Sequence, residues 1–309
     1  MKIRIASRKS ALAMWQSEHI KGLLERAGHQ CEIIKMSTKG DIILDTPLAK
    51  IGGKGLFTKE LENALLDGRA DIAVHSLKDV PTAFESGLEL ACVCSRENTD
   101  DCLLSMNYRS LEGLPLGAKV GTTSLRRRMQ ILRRRPDLKI ISLRGNVNSR
   151  IAKLQNGVFD AIILARAGIS RLGLDSLVNY VSPLGTIPAM GQGALGIEIA
   201  SKNSAVRDAI SFLNDEKSVI ETSIERAFVD TLNGGCQAPI GVSAVLDGDK
   251  VRVKAILGLV DGSEVLSAER DFSKNLGADA GVILASEFIA RGAKELLERS
   301  EKMLEKLEF

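Results

Sequence analysis

Apolar and polar positions along the first two thirds of the chain switch repeatedly between two periods. Short β-branched runs at 2–6, 31–36, 71–76, 118–122, 139–143 and 160–165 read as strands. Between them apolar residues recur at helical spacing, at Ala11, Leu12, Trp15, Ile20, Leu23 and Leu24 and again from Leu56 to Leu66. Strand and helix in alternation predict parallel α/β sheets. The last third follows another rule. A helix with Ile220, Ile224, Ala227, Phe228 and Leu232 on one face runs into Asn233-Gly234-Gly235, a sequence that stops helices. Three strand-like runs follow at 240–248, 250–260 and 263–272, parted by Asp-Gly turn signals, and predict antiparallel hairpins. A stretch rich in Glu, Lys and Leu then closes the chain as helix. The pattern is an α/β body with a small α+β domain appended, and the Gly- and Pro-rich segment 182–200, which re-enters a strand, is a crossover between domains. No internal repeat is visible.

At 309 residues, 44% apolar and 26% charged, the chain has room for two or three ordered domains. No segment offers eighteen uninterrupted apolar residues and the start turns charged at once, so neither membrane insertion nor secretion is expected. Five cysteines without C-x-x-C spacing or a histidine cluster argue against zinc, other metals and a disulfide framework, and for a reducing cytoplasm. Cys31, Cys92 and Cys94 lie in apolar runs and read as small core residues. Cys236 stands among turn-formers instead.

The net charge is only +3, yet between Arg126 and Lys153 ten Lys or Arg face one acid, Asp137. Something anionic is expected near that segment. Three places share one design, a strand that runs into a hydroxyl- or amide-bearing turn with arginines and then opens a helix. They carry Ser7, Arg8 and Ser10; Thr122, Thr123, Ser124, Arg126 and Arg127; and Arg144, Asn146 and Arg150. Helix N-termini offer unpaired N–H groups, and guanidinium forks match carboxylates or phosphates. Arg133, Arg134 and Arg135 read as a solvated helix end. Arg126 and Arg127 oppose the helix dipole and need compensation, either from a ligand or from ion pairs. Nucleic acid is disfavoured by the small net charge and the 4% aromatic content. The glycine loop 51–55 lacks the phosphate-binding lysine spacing and reads as a turn segment flanked by Lys50 and holding Lys54.

His75, Lys78 and Asp79 follow a strand end, where α/β enzymes keep their chemistry. His75 by itself reads as hydrogen-bonded structure. Asp79, a carboxylate amid basic groups, is placed to stabilise a cation or to handle a proton. Cys236 is open to three readings: a buried thiol, a nucleophile, or a covalent attachment point. Its position after a helix C-terminus disfavours a thiolate, and the flanking glycines leave space for a bulky adduct, so attachment fits better than turnover.

The segments VHSLKDVPT, GTTSLRRR, SLRGNVNSR, RLGL, GQGALGIE and NGGCQAPIG, in this order and with GGKGLFTKELE ahead of them, resemble the porphobilinogen deaminase (hydroxymethylbilane synthase) family from about Ile3 to the last helices. The resemblance implies a transferase that deaminates porphobilinogen and joins four units into the linear tetrapyrrole hydroxymethylbilane, releasing ammonia. It implies a dipyrromethane cofactor, one per chain, held by a thioether at Cys236. Asp79 would be the catalytic residue, with Lys78, Ser124, Arg126, Arg127, Arg144 and Gly145 beside it at the cofactor. Arg8, Ser10, Arg144, Arg150, Arg171 and Gln192 would bind substrate carboxylates, and Lys50, Lys54 and Phe57 would belong to a mobile loop. The implied fold is two α/β domains like those of periplasmic binding proteins, at 1–94 with 194–211 and at 100–187. A third, α+β, domain at 216–309 would carry a three-stranded antiparallel sheet. The expected partner is the small-molecule substrate alone, with neither nucleic acid nor membrane, and the chain is expected to be a monomer. The rival reading is a non-catalytic anion-binding protein of the periplasmic-binding type, which leaves Asp79 and the cysteine loop without a role.

Overall fold

The first apolar run becomes a strand with a neighbour on each side. In the computed structural model, which describes residues 1–42, 56–235 and 238–305, β1 (Lys2–Arg8) buries Ile3, Ile5 and Ala6 completely. It runs parallel to β2 (Gln30–Met36) on one side and to β3 (Ile72–Ser76) on the other. The sheet continues through β10 (Leu195–Ala200) to β4 (Leu88–Val93), and β10 is antiparallel to both of its neighbours. Helix α1 (Ala11–Arg26) buries Ala13, Gln16, Ser17, Ile20 and Leu24. That face is turned from the predicted stripe: Trp15 is only half-buried and stacks on His19, while the polar Gln16 goes inside because its Nε2 donates to Ser76 Oγ at 2.8 Å. The turn α2 (Lys39–Ile42) and helix α3 (Lys59–Leu66) complete the part of this unit before β3.

A second sheet repeats the topology without repeating the sequence. Its order is β7 (Lys139–Ile141), β6 (Lys119–Gly121), β8 (Ala161–Ala165), β5 (Asp101–Ser105) and β9 (Tyr180–Pro183). β6 is parallel to β7 and β8, and β5 is antiparallel to β8 and β9. Helices α4 (Leu125–Arg134), α5 (Val147–Gln155) and α6 (Arg166–Leu172) follow β6, β7 and β8 in turn. Both sheets are therefore mixed, where strand-helix alternation predicts parallel ones. The odd strands, β5 and β10, are the first laid down after the chain passes between units near 97 and near 190, and no crossover helix brings them in, so the parallel βαβ constraint does not reach them.

Among the described residues, one compact unit holds 1–42, 56–97 and 191–219, and the other holds 98–190 and 220–305. Between β10 and the C-terminal module lies α7 (Ser204–Ile210). The module itself is α8 (Glu216–Thr231), an antiparallel meander of β11 (Ile240–Asp247), β12 (Lys250–Gly258) and β13 (Val265–Ser273), then α9 (Ala278–Ala290) and α10 (Ala293–Glu305). Its core centres on Phe228 and Phe288, both fully buried, with rings edge to face at 5.2 Å. Gly281 lets α9 approach α8 so closely that a Cβ there would lie 2.1 Å from the Ile224 carbonyl oxygen.

The edge of β11 away from β12 is closed by one backbone carbonyl and two side chains. Its alternate N–H groups donate outward, Val242 to the Pro188 carbonyl at 2.9 Å, Ala244 to Glu225 at 2.8 Å and Leu246 to Glu221 at 3.0 Å. Two buried glutamates from α8 thus answer donors that the meander leaves open, which also blunts the edge against strand addition.

Candidate active site

The end of β1 and the end of β3 lie side by side because the two strands are parallel neighbours, and the chemistry of the first unit gathers there. A pocket with about 400 Å3 of empty space, part of it open to solvent, is lined by Arg8, Ser10, Phe57, Thr58, His75, Ser76 and Asp79 among others. Ser10 is the N-cap of α1 and accepts from the Ala13 N–H at 3.4 Å, so the helix start faces this pocket with its hydroxyl already ordered. The Arg8 guanidinium lies 4.4 Å above the Phe57 ring centroid. Lys78 and Asp79 sit in the single 3-10 turn Leu77–Asp79 that follows β3. That turn is clamped from 191–194: Leu77 N–H donates to the Ala194 carbonyl at 3.0 Å, and Lys78 Nζ reaches Gln192 Oε1 at 3.4 Å. Gly191 must be glycine, since its φ is +65° and a Cβ would lie 2.9 Å from Leu77 Cγ.

Beneath the pocket lies a buried ionisable group of three. His75 Nε2 meets Glu198 Oε2 at 3.1 Å, with both side chains almost wholly inside. Glu198 Oε1 is buried and has no hydrogen-bond partner among the described residues. Glu62 is also buried and accepts from Thr58 Oγ1 at 2.5 Å. Burial pushes the Glu62 carboxyl up from its ordinary value, the hydroxyl bond opposes this, and the nearby Glu198 charge adds to it.

In the second unit the ends of β6 and β7 place two capped helix starts together. Ser124 caps α4 by accepting from Arg127 N–H at 3.4 Å, and Asn146 caps α5 by accepting from Ser149 N–H at 2.9 Å. Neither first turn contains an acid. Gly145 holds φ at +113°, and its carbonyl accepts from Arg150 Nε at 2.8 Å. Partial burial pushes the Arg144 guanidinium down from its ordinary value. Arg171 lies in the last turn of α6.

Arg126 and Arg127 prove to be buried, at 4% and 7% exposure, and both grip Asp101. Asp101 is completely inside, and although burial by itself would raise its carboxyl, the two guanidiniums hold it well below the usual carboxylate range. Compensation for the two guanidiniums against the helix dipole thus comes from an ion pair within the chain, and the trio carries a net charge of +1. Arg133 and Arg134 are exposed, as a solvated helix end requires, whereas Arg135 departs from it. Arg135 donates to the carbonyls of Leu111 at 2.9 Å and Leu114 at 3.1 Å and pairs with Asp137, while Arg134 donates to Leu184. A guanidinium with several N–H groups satisfies turn carbonyls that no backbone donor reaches.

Lys50, Lys54 and Cys236 lie outside the described residues. Up to that point α8 ends as expected: Asn233 takes φ +53° and Gly234 N–H returns to the Val229 carbonyl at 2.9 Å. The residues that the sequence reading passes over are Asp101, Glu62, Glu198, Gln130 and Thr186. Asp101 follows Asp100, and Glu62 shares its helix with Glu60 and Asn63, so nothing local distinguishes them from surface positions.

Similarity to known proteins assigns the family. The family described as porphobilinogen deaminase, dipyromethane cofactor binding domain, matches residues 3–208, and the porphobilinogen deaminase C-terminal domain matches 219–290. The chain is 69% identical over 304 residues to the porphobilinogen deaminase of Campylobacter fetus, covering 98% of this chain and 100% of that one. With the Campylobacter jejuni protein of the same name (strain NCTC 11168) it shares 58% over 309 residues, at 98% and 100% coverage. A solved periplasmic VFT2 domain of Bordetella pertussis BvgS aligns over 68% of this chain and 85% of that one, at 16% identity and a TM-score of 0.42. Both domain families match in the expected order, and relatives align over their whole length, so the chain belongs to the porphobilinogen deaminase family.

Proposed function

We propose that the chain deaminates porphobilinogen and condenses four units in sequence onto a dipyrromethane primer, releasing hydroxymethylbilane and ammonia. The observation that carries this reading is the match of both family domains along the chain; within the first unit Asp79 lines a pocket, and within the second two acid-free helix starts make up a cationic donor set. That donor set fits the primer chemically: two acid-free helix starts, the +1 trio and Arg144 offer N–H groups and positive charge to acetate and propionate side chains. Ser124, Arg126, Arg127, Arg144 and Gly145, with Lys78 and Asp79, would hold it, and Cys236 would form the thioether. When bound, the group supplies the free pyrrole carbon at which the chain grows.

The protein's own part is positioning and charge. Arg8 and Ser10, at the mouth of the α1 N-terminus, take a substrate carboxylate, and Arg150, Arg171 and Gln192 serve the same chemistry. Phe57 holds the Arg8 guanidinium over its ring and so limits the directions in which it can point. The Asp79 carboxylate stabilises positive charge on the incoming pyrrole as ammonia leaves and handles the proton of that step. His75 has its Nε2 committed to Glu198 and serves as a fixed wall of the pocket. The three-domain division at 1–94 with 194–211, 100–187 and 216–309 belongs to the same proposal, as do a monomer and a reducing cytoplasm. In support of the compartment, Cys31, Cys92, Cys94 and Cys102 are all thiols, and no described helix is long and apolar enough to cross a membrane.

Intact mass of the denatured protein, with peptide mapping, tests the reading. The expected gain is two porphobilinogen units less two ammonias, located at Cys236, and Cys236→Ser should abolish it. A wild-type chain that stays bare after incubation with porphobilinogen would refute the proposal.

A further inference from the structure

We infer that Asp101 is a positioning residue that sets the two guanidiniums of Arg126 and Arg127 for an anionic ligand group; this rests on the functional reading above. Asp101 opens β5 and has no exposure, yet its carboxylate is shared among three side chains. Oδ2 accepts from Arg126 Nη1 at 2.6 Å and from Thr186 Oγ1 at 2.9 Å. Oδ1 accepts from Arg127 Nη2 at 2.7 Å and Nε at 2.9 Å, and from Arg126 Nη2 at 3.3 Å. Each guanidinium also donates to a backbone carbonyl. Arg126 Nη1 donates to the Ile187 carbonyl at 2.8 Å, and Arg127 Nη1 to the Ile163 carbonyl at 2.9 Å. The Ile187 peptide is itself gripped at both ends by the Gln130 amide, which accepts from its N–H at 2.8 Å and donates to its carbonyl at 3.0 Å.

Stability does not account for such an arrangement. Buried ion pairs are commonly replaceable by apolar groups of the same volume without loss, and two arginines in the first turn of α4 oppose the helix dipole. A lone arginine brings large rotamer freedom that a ligand must freeze on binding. The carboxylate freezes it in advance and cancels one of the two charges, which leaves the pair fixed in direction and singly positive, the complement of one carboxylate group. The network therefore explains how two arginines that are almost entirely inside still serve an anion: their orientation is decided before the ligand arrives.

The test follows covalent mass gain of the cofactor-free chain as a function of porphobilinogen concentration, so it does not depend on turnover by the loaded enzyme. Asp101→Asn keeps the shape and removes the charge. If it remains folded by circular dichroism, the half-saturating concentration should rise at least tenfold, and an unchanged value would overturn the inference. If Asp101→Asn does not fold, Thr186→Val decides, since it removes only the 2.9 Å hydroxyl bond. A threefold or greater rise supports the positioning role, and a wild-type value overturns it. A wild-type chain that gains no mass at all would overturn the functional reading itself, and this inference with it.

Discussion

Asp79 and His75 lie four positions apart in sequence order and line the same pocket, but their neighbours assign them opposite characters. His75 is tied to Glu198, and Asp79 faces the pocket at the end of a turn that other residues hold in place. Asp79→Ala should therefore fold and melt like the parent while product formation falls by at least about a hundredfold, the scale of a lost proton-handling group. Residual activity within a few-fold of wild type would refute its role. Glu62 makes a separate prediction, on stability. Its carboxyl is raised in the folded state, so the folded chain binds more protons than the unfolded one, and stability falls as pH rises from the unfolded value through the folded one. Glu62→Gln should remove that slope, raising the melting temperature at pH 7 relative to wild type and leaving it nearly unchanged near pH 4. Among the cysteines, burial pushes the Cys92 and Cys102 thiols up to about 11, which makes both inert. Iodoacetamide on the native protein should leave both unlabelled, as peptide mass spectrometry would report.

At the scale of elements, the helix starts were legible because capping is local chemistry. Ser10, Ser124 and Asn146 each satisfy an N–H three residues ahead, and a strand followed by such a residue and a helical pattern announces the arrangement. The meander of β11, β12 and β13 was legible for the same reason, through alternation and Asp-Gly turns. β5 was not, because its apolar run, 102–104, is only three residues long and polar residues flank it. β9, four residues ending in proline, carried too little pattern to be read. The edge of β11 gives the test for this scale. Glu225→Leu strands the Ala244 N–H in the interior and should cost about 1–3 kcal/mol in denaturant unfolding. Gly241→Ala should also destabilise, since its Cβ would sit 2.7 Å from the Ile187 carbonyl oxygen.

At the scale of the whole molecule, the chain passes between its two units near 97, 190 and 219, so the first sheet takes its antiparallel β10 from a distant part of the sequence, whereas β5 belongs to the same continuous segment as the rest of its sheet. Loading with the primer should link donors that several elements contribute, so the loaded chain is expected to melt several degrees above Cys236→Ser. Roughly 2 kcal/mol of added contact corresponds to about 4–8 °C in domains of 150–250 residues. Calorimetry on the two forms checks this, and equal melting temperatures would contradict a multi-element anion site. The sequence by itself determined local matters: most of the strands, which turns cap helices, where basic charge accumulates, and that Asp79 and Cys236 are unlike their surroundings. Its motifs also sufficed to identify the family. Tertiary structure alone decided the pairings. It placed β5 and β10 antiparallel, closed the β11 edge with Glu221 and Glu225, and seated Asp101 between Arg126 and Arg127. Periodicity and capping act over a few residues, whereas these partners are separated by 19 to more than 100 positions, as with His75 and Glu198 at 123, and only the folded chain brings them within hydrogen-bonding range.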